Sequence, residues 1–513
     1  MKLGIDMGTH LARAAYLDDR SRPRLIPLST STDTFPCLAR QTMHGLQVGP
    51  AAALTQVGNA ETTISGCIRL MGRAGTLSPA LLARLPYPVR EEGGEAVCNL
   101  LYNEVRASEV YGLVVRALVE EAEQALGEPI EEVVLTVPAS AEDRFRIQAR
   151  ASVEAQGIKV SRLINQPAAA LLAAALPATA RCVAVVNCGG GSTDVSIAER
   201  GDAGTRILAT AGDMLLGADD LGWNVAERLN ERFQVSSGVN VFAADGSGVA
   251  MQGLRTAAWE ALSTLAVAPE TLLVLDHGGG FGRDLVTLVR RSEVEGWLEP
   301  LLARIGALCQ QALSRSQRTA QEIDAVVLIG EAAFLPPVQA TIARAFGRSP
   351  SALHTAEAER LAVYGAALAT ADESALVWDV TPYPLGINCY YGNEELFSPI
   401  LSANTPIPTP VLGATGAFTE SYTTRYPGQT EVRLDILQYR GPRVPVTHGE
   451  GRVYPHECEA LGTWHFTNLK PKKKKHAAFT VTFAVDADGI LHLEAVETAT
   501  GHRLVAHVDR GIG

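Results

Sequence analysis

VAVVNCGGGSTDVSIAE, residues 183–199, decides how the rest of the chain is read. An apolar run of strand length meets three glycines, a hydroxyl residue and an aspartate, and a second alternating run follows. Backbone N–H groups in such a turn can cradle an anion, because glycine lets the chain approach it closely. The first run ends on Asn187 and Cys188, where a metal–nucleotide site would want a carboxylate. A second strand–glycine pattern stands at the N-terminus in GIDMGTH, residues 4–10. Elsewhere strands alternate with helical stretches: EEVVLTVPAS (131–140) precedes AEDRFRIQARASVEAQG (141–157), and IDAVVLIG (323–330) precedes LPPVQATIARAFG (335–347). That alternation is an α/β signature. One glycine hairpin in each half points to an internally duplicated pair of lobes facing a cleft.

The bulk composition bounds the function. A chain of 513 residues is long for one core, so two to four domains are expected. Hydrophobic residues at 47% and charged residues at 19% describe a soluble globular protein. A net charge of -12 argues against a nucleic-acid partner. Eight cysteines (Cys37, Cys67, Cys98, Cys182, Cys188, Cys309, Cys389 and Cys458) lie far apart with no C-x-x-C pair. They read as reduced thiols of a cytoplasmic protein, with no zinc or other metal site. MKLGIDMGTH enters a strand at once and lacks the apolar core of a signal peptide. The uncharged run Leu163–Ala180 carries Asn165, Gln166, Pro167 and Pro177, which suits a soluble helix and no membrane anchor.

After residue 372 the pattern changes. The acidic-then-apolar ADESALVW (371–378) reads as a joint, and short alternating strands follow: EVRLDILQY (431–439), AAFTVTFAV (477–485) and ILHLEAVE (490–497). The expected division is an α/β domain over 1–372, a linker over 373–380 and an all-β module over 381–513. DADGI (486–490) starts like a calcium loop but lacks the later ligands, so a plain turn is expected. KPKKKK (470–475) reads as a solvated loop or a seat for an anionic partner.

In order, these segments resemble the heat-shock protein 70 (DnaK-type) chaperone family. GIDMGTH and CGGGSTDVSIAE resemble its two phosphate loops. VVLTVPASAEDRFRIQAR (133–150) and RLINQPAAALLAAAL (162–176) resemble its interlobe helix and hinge, and AGDMLLGADDL (211–221) the loop after the second phosphate loop. VVLIGEAAFLPPVQ (326–339) resembles its nucleotide-flanking turn. WDVTPYPLGI (378–387), NTPIPT (404–409) and VDADGILHLEA (485–495) resemble its peptide-binding module. The resemblance implies an actin-like two-lobed nucleotide domain, a linker and a β-sandwich that grips extended peptide. Family members continue into a helical lid. No helix-period segment follows HRLVAHVDRGIG (502–513), so a lidless module with fast peptide exchange is expected.

Carried over residue by residue, the family's hydrolysis centre is depleted. Asp6 and Asp194 match two of its carboxylates. The expected lysine is Ile68, the expected glutamate Gln166, and the expected aspartate Asn187. An amide offers a metal shell far less than a carboxylate, and isoleucine can neither orient water nor offset phosphate charge. The phosphate-side positions Gly8, Thr9, Gly189, Gly190, Gly191, Ser192, Gly217 and Gly330 remain. The adenosine clamp corresponds to Trp259, Leu262, Ser263 and Ala266, one helical face that is apolar except for Ser263. It reads as core packing or as a rebuilt adenine pocket. The third site becomes Gly330, Glu331 and Ala332, with Phe334 in place of an arginine. A carboxylate about 4 Å from a phosphate costs about 4 kcal/mol at an effective dielectric of ~20, roughly a 1000-fold loss of affinity. The expectation is no cofactor, with ATP or ADP and Mg2+ at most weakly held.

Pro138 and Arg146 match the interlobe relay, Arg162 a contact for J-domain co-chaperones, and Asp379 the linker aspartate. Tyr390 and Arg425 correspond to the arch over bound peptide and Val432 to the base of its central pocket; the bulk and charge of the arch favour acidic or smaller side chains, or close a vestigial groove. Three functions stay open: a peptide-binding chaperone without ATP hydrolysis, a regulatory or scaffolding subunit bound to one protein or another chaperone, and an ATPase with a rearranged site.

Overall fold

The structure is a computed structural model. It describes all residues except 31, 74–76, 203, 244–247, 277–283, 372–376, 413, 415, 442, 448–449, 471–475 and 508–513. Half of the expected linker, 373–376, and most of the lysine run, 471–475, therefore lie outside the described residues. The chain divides into two compact units, Met1–Ala141 with Gln148–Val377, and Glu142–Ile147 with Trp378–Gly513.

The first unit is built twice on one plan. In its first lobe, β1 (Lys2–Met7) and β2 (Leu11–Leu17) form an antiparallel hairpin, and β3 (Glu132–Val137) lies parallel to β1, with β4 (Lys159–Asn165) beyond it. In the second, β5 (Cys182–Cys188) and β6 (Thr193–Gly201) form the hairpin; β7 (Gly204–Asp213) extends it and β8 (Ala325–Ile329) lies parallel to β5. All six residues of β3 and all five of β8 are buried, as expected of parallel strands covered on both faces. This mixed α/β duplication fits the two-lobed actin-like arrangement.

Three helices close the second lobe: α1 (Ala218–Ser237), α2 (Val249–Leu265) and α3 (Arg291–Ser316). Their inward faces supply Leu221, Leu229, Leu254, Leu298 and Ile305 to one apolar cluster with the strands. α1 begins where Asp220 accepts the Gly217 N–H at 3.0 Å, and it ends on Gly238 at φ 75°. The run Leu163–Ala180 is not one helix: it starts as β4 and is helical only over Gln166–Ala173. The two amides and two prolines that excluded a membrane span also divide the run. No helix among the described residues is long and apolar enough to cross a membrane. All eight cysteines are free thiols.

Helix α4 (Leu361–Leu368) meets the helix Gln166–Ala173 backbone to backbone at Gly365. A Cβ there would lie 1.7 Å from the Ala169 carbonyl oxygen. Overpacking costs about 1–3 kcal/mol, and more where backbone must move, so Gly365→Ala is expected to destabilise by about 3 kcal/mol in denaturant unfolding. Gly296→Ala in α3, where a Cβ meets nothing within 4 Å, is the control and should be neutral or stabilising. Equal effects at the two positions would contradict the packing.

The second unit holds two four-stranded antiparallel sheets. One runs in the order β10 (Glu394–Leu401), β9 (Leu385–Tyr391), β12 (Val432–Gln438) and β13 (Glu459–Phe466). The other runs β11 (Phe418–Thr423), β14 (Ala478–Val485), β15 (Leu491–Glu497) and β16 (Arg503–His507). Alternate residues of both, among them Ile387, Leu434, Ile436, Val481, Phe483, Leu491 and Leu493, share one apolar core. DADGI is a plain turn: Asp486 accepts the N–H groups of Asp488 and Ile490, and Gly489 sits at φ 79°.

Candidate functional site

The site lies in the first unit, where the two hairpin turns face each other. Each turn is pinned by one backbone bond, Gly8 N–H to Leu11 O at 3.1 Å and Gly189 N–H to Ser192 O at 2.9 Å. A cavity of about 90 Å³ is lined by Asp6, Gly8, Thr9, Ile68, Pro138, Gln166, Asn187, Gly189, Gly190, Gly191, Ser192, Gly330 and Glu331, among others. The structure thus gathers most of the phosphate-side and hydrolysis-centre positions read from the sequence. It does not bring Trp259, Leu262, Ser263, Ala266 or Phe334 to that lining.

The acidic centre is tied up internally. Asp6, at the end of β1, accepts hydrogen bonds from the Thr136 hydroxyl and, at 3.0 Å, from the Gln166 amide. Gln166 in turn accepts the Asn187 amide at 2.8 Å. This chain of donors fixes both amide orientations, since each N–H faces an oxygen. Burial pushes the Asp6 carboxyl above its ordinary range, and the two hydrogen bonds work against that rise. Asp194 stands opposite Asn187 in the β5–β6 register, is fully buried, and accepts the Ser140 N–H at 2.9 Å. Ile68, 5% exposed in the turn Cys67–Arg69, presents only hydrocarbon to the cavity. Among the described residues, no group of three or more His, Cys, Asp or Glu side chains could hold a metal ion.

A charged network that the sequence did not announce crosses the turn region. His10, just past β1, contacts Glu331 through Nδ1 at 2.8 Å and Asp219 through Nε2 at 3.1 Å. Both acceptors are carboxylates, so both ring nitrogens carry protons and the ring is an imidazolium. Burial alone would lower the imidazole pKa, but the two carboxylates more than reverse it and raise it to about 10. Arg69 donates to Asp219 at 3.1 Å and to Asp220 at 2.8 Å; Arg84 reaches Asp220 at 3.2 Å and Arg255 reaches Asp219 at 3.1 Å. Burial would raise the Asp219 pKa, yet His10, Arg255 and Arg69 hold it well below the usual carboxylate range. Asp219 and Asp220 also sit in the first turn of α1, where the helix dipole favours negative charge. The sequence shows a histidine in GIDMGTH and two acids in GADDL; nothing in their spacing says that they meet.

The glycines of the second turn allow a close approach, here by the protein's own side chains. None of Gly189, Gly190 and Gly191 has a positive φ, so a left-handed turn does not require them. Close approach does. A Cβ on Gly190 would lie 2.6 Å from Glu331 Oε2 and 2.8 Å from Thr9 Cβ, and one on Gly191 would lie 2.8 Å from Arg69 Cγ. Gly217 packs on the Gly190 carbonyl in the same way, at 2.5 Å. Gly330 is the exception, at φ 97°.

On the helix expected to hold adenosine, Leu262 is 3% exposed and belongs to the lobe core. The Ser263 hydroxyl bonds back to the Trp259 carbonyl at 3.0 Å, and Ala266 caps the helix end. Trp259 meets Phe334 edge to face at 6.1 Å between centroids. Leu262 is a core residue, and Trp259 is partly buried against the same core. Ala332 is buried in the short turn that starts at Glu331.

In the second unit, the Arg425 guanidinium lies 3.6 Å from the centre of the Tyr390 ring and 5.3 Å from that of Tyr426. β9 pairs with β12 only over Leu385–Ile387, so Tyr390 lies beyond that pairing. Val432 opens β12 opposite Phe466 and packs against the apolar core. Asp379 accepts the Val380 N–H at 2.8 Å and pairs with Ile407. Arg162 stands opposite Val134 in the first lobe's sheet. Arg146 falls within Glu142–Ile147, the short segment grouped with the second unit.

Two glycine hairpins facing a cleft, followed by two four-stranded sheets, are the parts that the resemblance to DnaK-type chaperones implies. A family model described as Hsp70 protein matches residues 2–510, nearly the whole chain. The chain therefore belongs to the Hsp70 family, which gives it a chaperone-type function in binding unfolded polypeptide.

Proposed function

We propose that this chain is a polypeptide-binding member of the Hsp70 family that does not hydrolyse ATP. The observation that carries the reading is the amide chain Asn187–Gln166–Asp6. Asp6 Oδ1 already accepts two protein hydrogen bonds, from Thr136 and Gln166, and the neighbouring amides offer a metal shell far less than carboxylates would. Ile68 supplies no ammonium to the same cavity. A magnesium–nucleotide fits these residues poorly, and the cavity, at about 90 Å³, is small beside the ~300–1,000 Å³ of most ligand pockets. The Trp259–Phe334 pair and the core position of Leu262 leave the adenosine side without its hydrogen-bonding groups.

Peptide binding belongs to the second unit, read as the family's β-sandwich. Extended peptide is held there by main-chain hydrogen bonds, with one side chain over Val432 and an arch of Tyr390 and Arg425 above it. Arg162 is the candidate contact for a J-domain co-chaperone. With no nucleotide input, the affinity for peptide has nothing to switch it, since a ligand shifts an equilibrium only by its differential affinity for two states. Fluorescence anisotropy of one labelled extended apolar peptide with the full chain should give the same dissociation constant with and without millimolar ATP and magnesium. A several-fold weakening by ATP would overturn the proposal.

The clasp of Arg425 on Tyr390 favours a second reading, in which the groove is closed and the chain binds one protein partner as a regulatory subunit. Arg425→Ala should then leave partner capture intact; on the first reading it changes peptide affinity.

A further inference from the structure

The depleted hydrolysis centre explains lost chemistry but does not say what holds the two lobes together. The His10–Glu331–Asp219 contacts supply that. His10 follows β1 in the first lobe, whereas Asp219 opens α1 and Glu331 follows β8 in the second. Glu331 Oε2 lies over Gly190, close enough that a Cβ there would approach within 2.6 Å. Among the described residues, the N–H groups of Gly190 and Gly191 donate to no protein oxygen. The turn keeps donors suited to an anion, and the anion closest to it is the protein's own carboxylate.

We propose that His10 and Glu331, with Asp219, form a built-in latch across the cleft, which holds the lobes together without a ligand and uses the Glu331 carboxylate to repel any free polyphosphate from the second glycine turn. The inference rests on the reading that this cleft runs no nucleotide cycle, and it gives that reading a physical agent. The imidazolium is attracted to both carboxylates of the second lobe and is flanked on the far side of Asp219 by Arg69 and Arg255. Cys37, whose N–H donates to the His10 carbonyl, is a buried neutral thiol held well above its ordinary pKa by burial first. The latch is therefore set by charge and closes whenever His10 is protonated.

Its pH dependence has a definite sign. The folded imidazole holds its proton to about pH 10, against 6.5 for the free side chain. The stability it contributes is complete below about pH 6.5 and is lost as the pH climbs through 10.

The test uses the full chain with Glu331→Gln, which keeps the shape and removes the charge, and His10→Gln as a second route to the same loss. Glu359→Gln is the control, since Glu359 lines the cavity but pairs with Arg13 of β2. Hydrogen exchange at Gly8–Leu11 and Gly189–Ser192 should quicken about tenfold in both latch variants, the equivalent of ~1.4 kcal/mol of lost closure, and stay unchanged in the control. Inorganic tripolyphosphate should give no calorimetric binding to the wild type and measurable binding to Glu331→Gln. The fall in stability between pH 7 and 10 should be shallower in His10→Gln than in wild type, a difference in which the cysteine contributions cancel. Unchanged exchange in both variants, equal tripolyphosphate binding, or identical pH slopes would each overturn the latch. ATP-dependent peptide release in the wild type would instead sink the functional reading, and the exchange result would stand apart from it.

Discussion

Arg69→Met is expected to destabilise the first unit by about 3–5 kcal/mol, the usual cost of removing one partner from a buried ion pair. The Arg69 side chain is 5% exposed and donates to two acids, Asp219 and Asp220, whose side chains are 12% and 8% exposed. Methionine keeps the hydrocarbon and leaves those carboxylates short of a cation in a poorly solvated place. Arg84 and Arg255 remain, but each reaches only one of the two acids. Chemical denaturation followed by far-ultraviolet circular dichroism measures the loss. Arg69→Met with Asp220→Asn should recover part of it, because the charge left behind is then removed as well. Arg84→Met, whose side chain is 21% exposed, should cost less. A loss for Arg69→Met below about 1 kcal/mol, or no recovery in the double variant, would show that the network is wetter than its geometry suggests.

ATP turnover above a no-protein control should be absent. Removal of one positioned charge or donor from a transition state typically costs about 10²–10³ in rate. Here the positions held by Ile68, Gln166 and Asn187 lack a lysine and two carboxylates at once. Such losses do not add fully, so a fall of more than ~10³ is the conservative expectation. The measurement is phosphate release over hours at millimolar ATP with magnesium. Steady release that disappears in Asp6→Asn would mean that the centre still works with its remaining carboxylates.

A separate test reads stability in place of turnover. Ile68→Lys, Gln166→Glu and Asn187→Asp together place two carboxylates beside Asp6, which burial already pushes toward its neutral form. Without a metal ion, that triple variant should be less stable than wild type. The native amides satisfy one another and need no ion, so the substitutions at 166 and 187 act as a matched pair.

Several elements were legible before any coordinates. The β1–β2 and β5–β6 hairpins follow from apolar runs broken by glycine, and β3 and β8 from uninterrupted apolar stretches of strand length. The alternating runs of the second unit fall into paired strands for the same reason, since a period of two fixes which face is buried. Leu163–Ala180 was legible only in part. Its composition excludes a membrane span, but short apolar runs do not distinguish strand from helix, and the neighbouring strand at Val134–Val137 claims residues up to Asn165.

What the sequence by itself determined is the family, the duplicated α/β plan with an all-β part, and the uncharged side chains of Ile68, Gln166 and Asn187, because each is a property of residue type and order. What only the tertiary structure decided is how the remaining charges are spent. His10 meets Glu331 across 321 positions and Asp219 across 209, while Arg69 meets Asp220 across 151. Separations of that size carry no local signal; they arise only when two mixed sheets bring their hairpin turns to one cleft. The same holds for Gly190, whose need for glycine comes from Glu331 and Thr9 pressed against it and not from its own backbone angles.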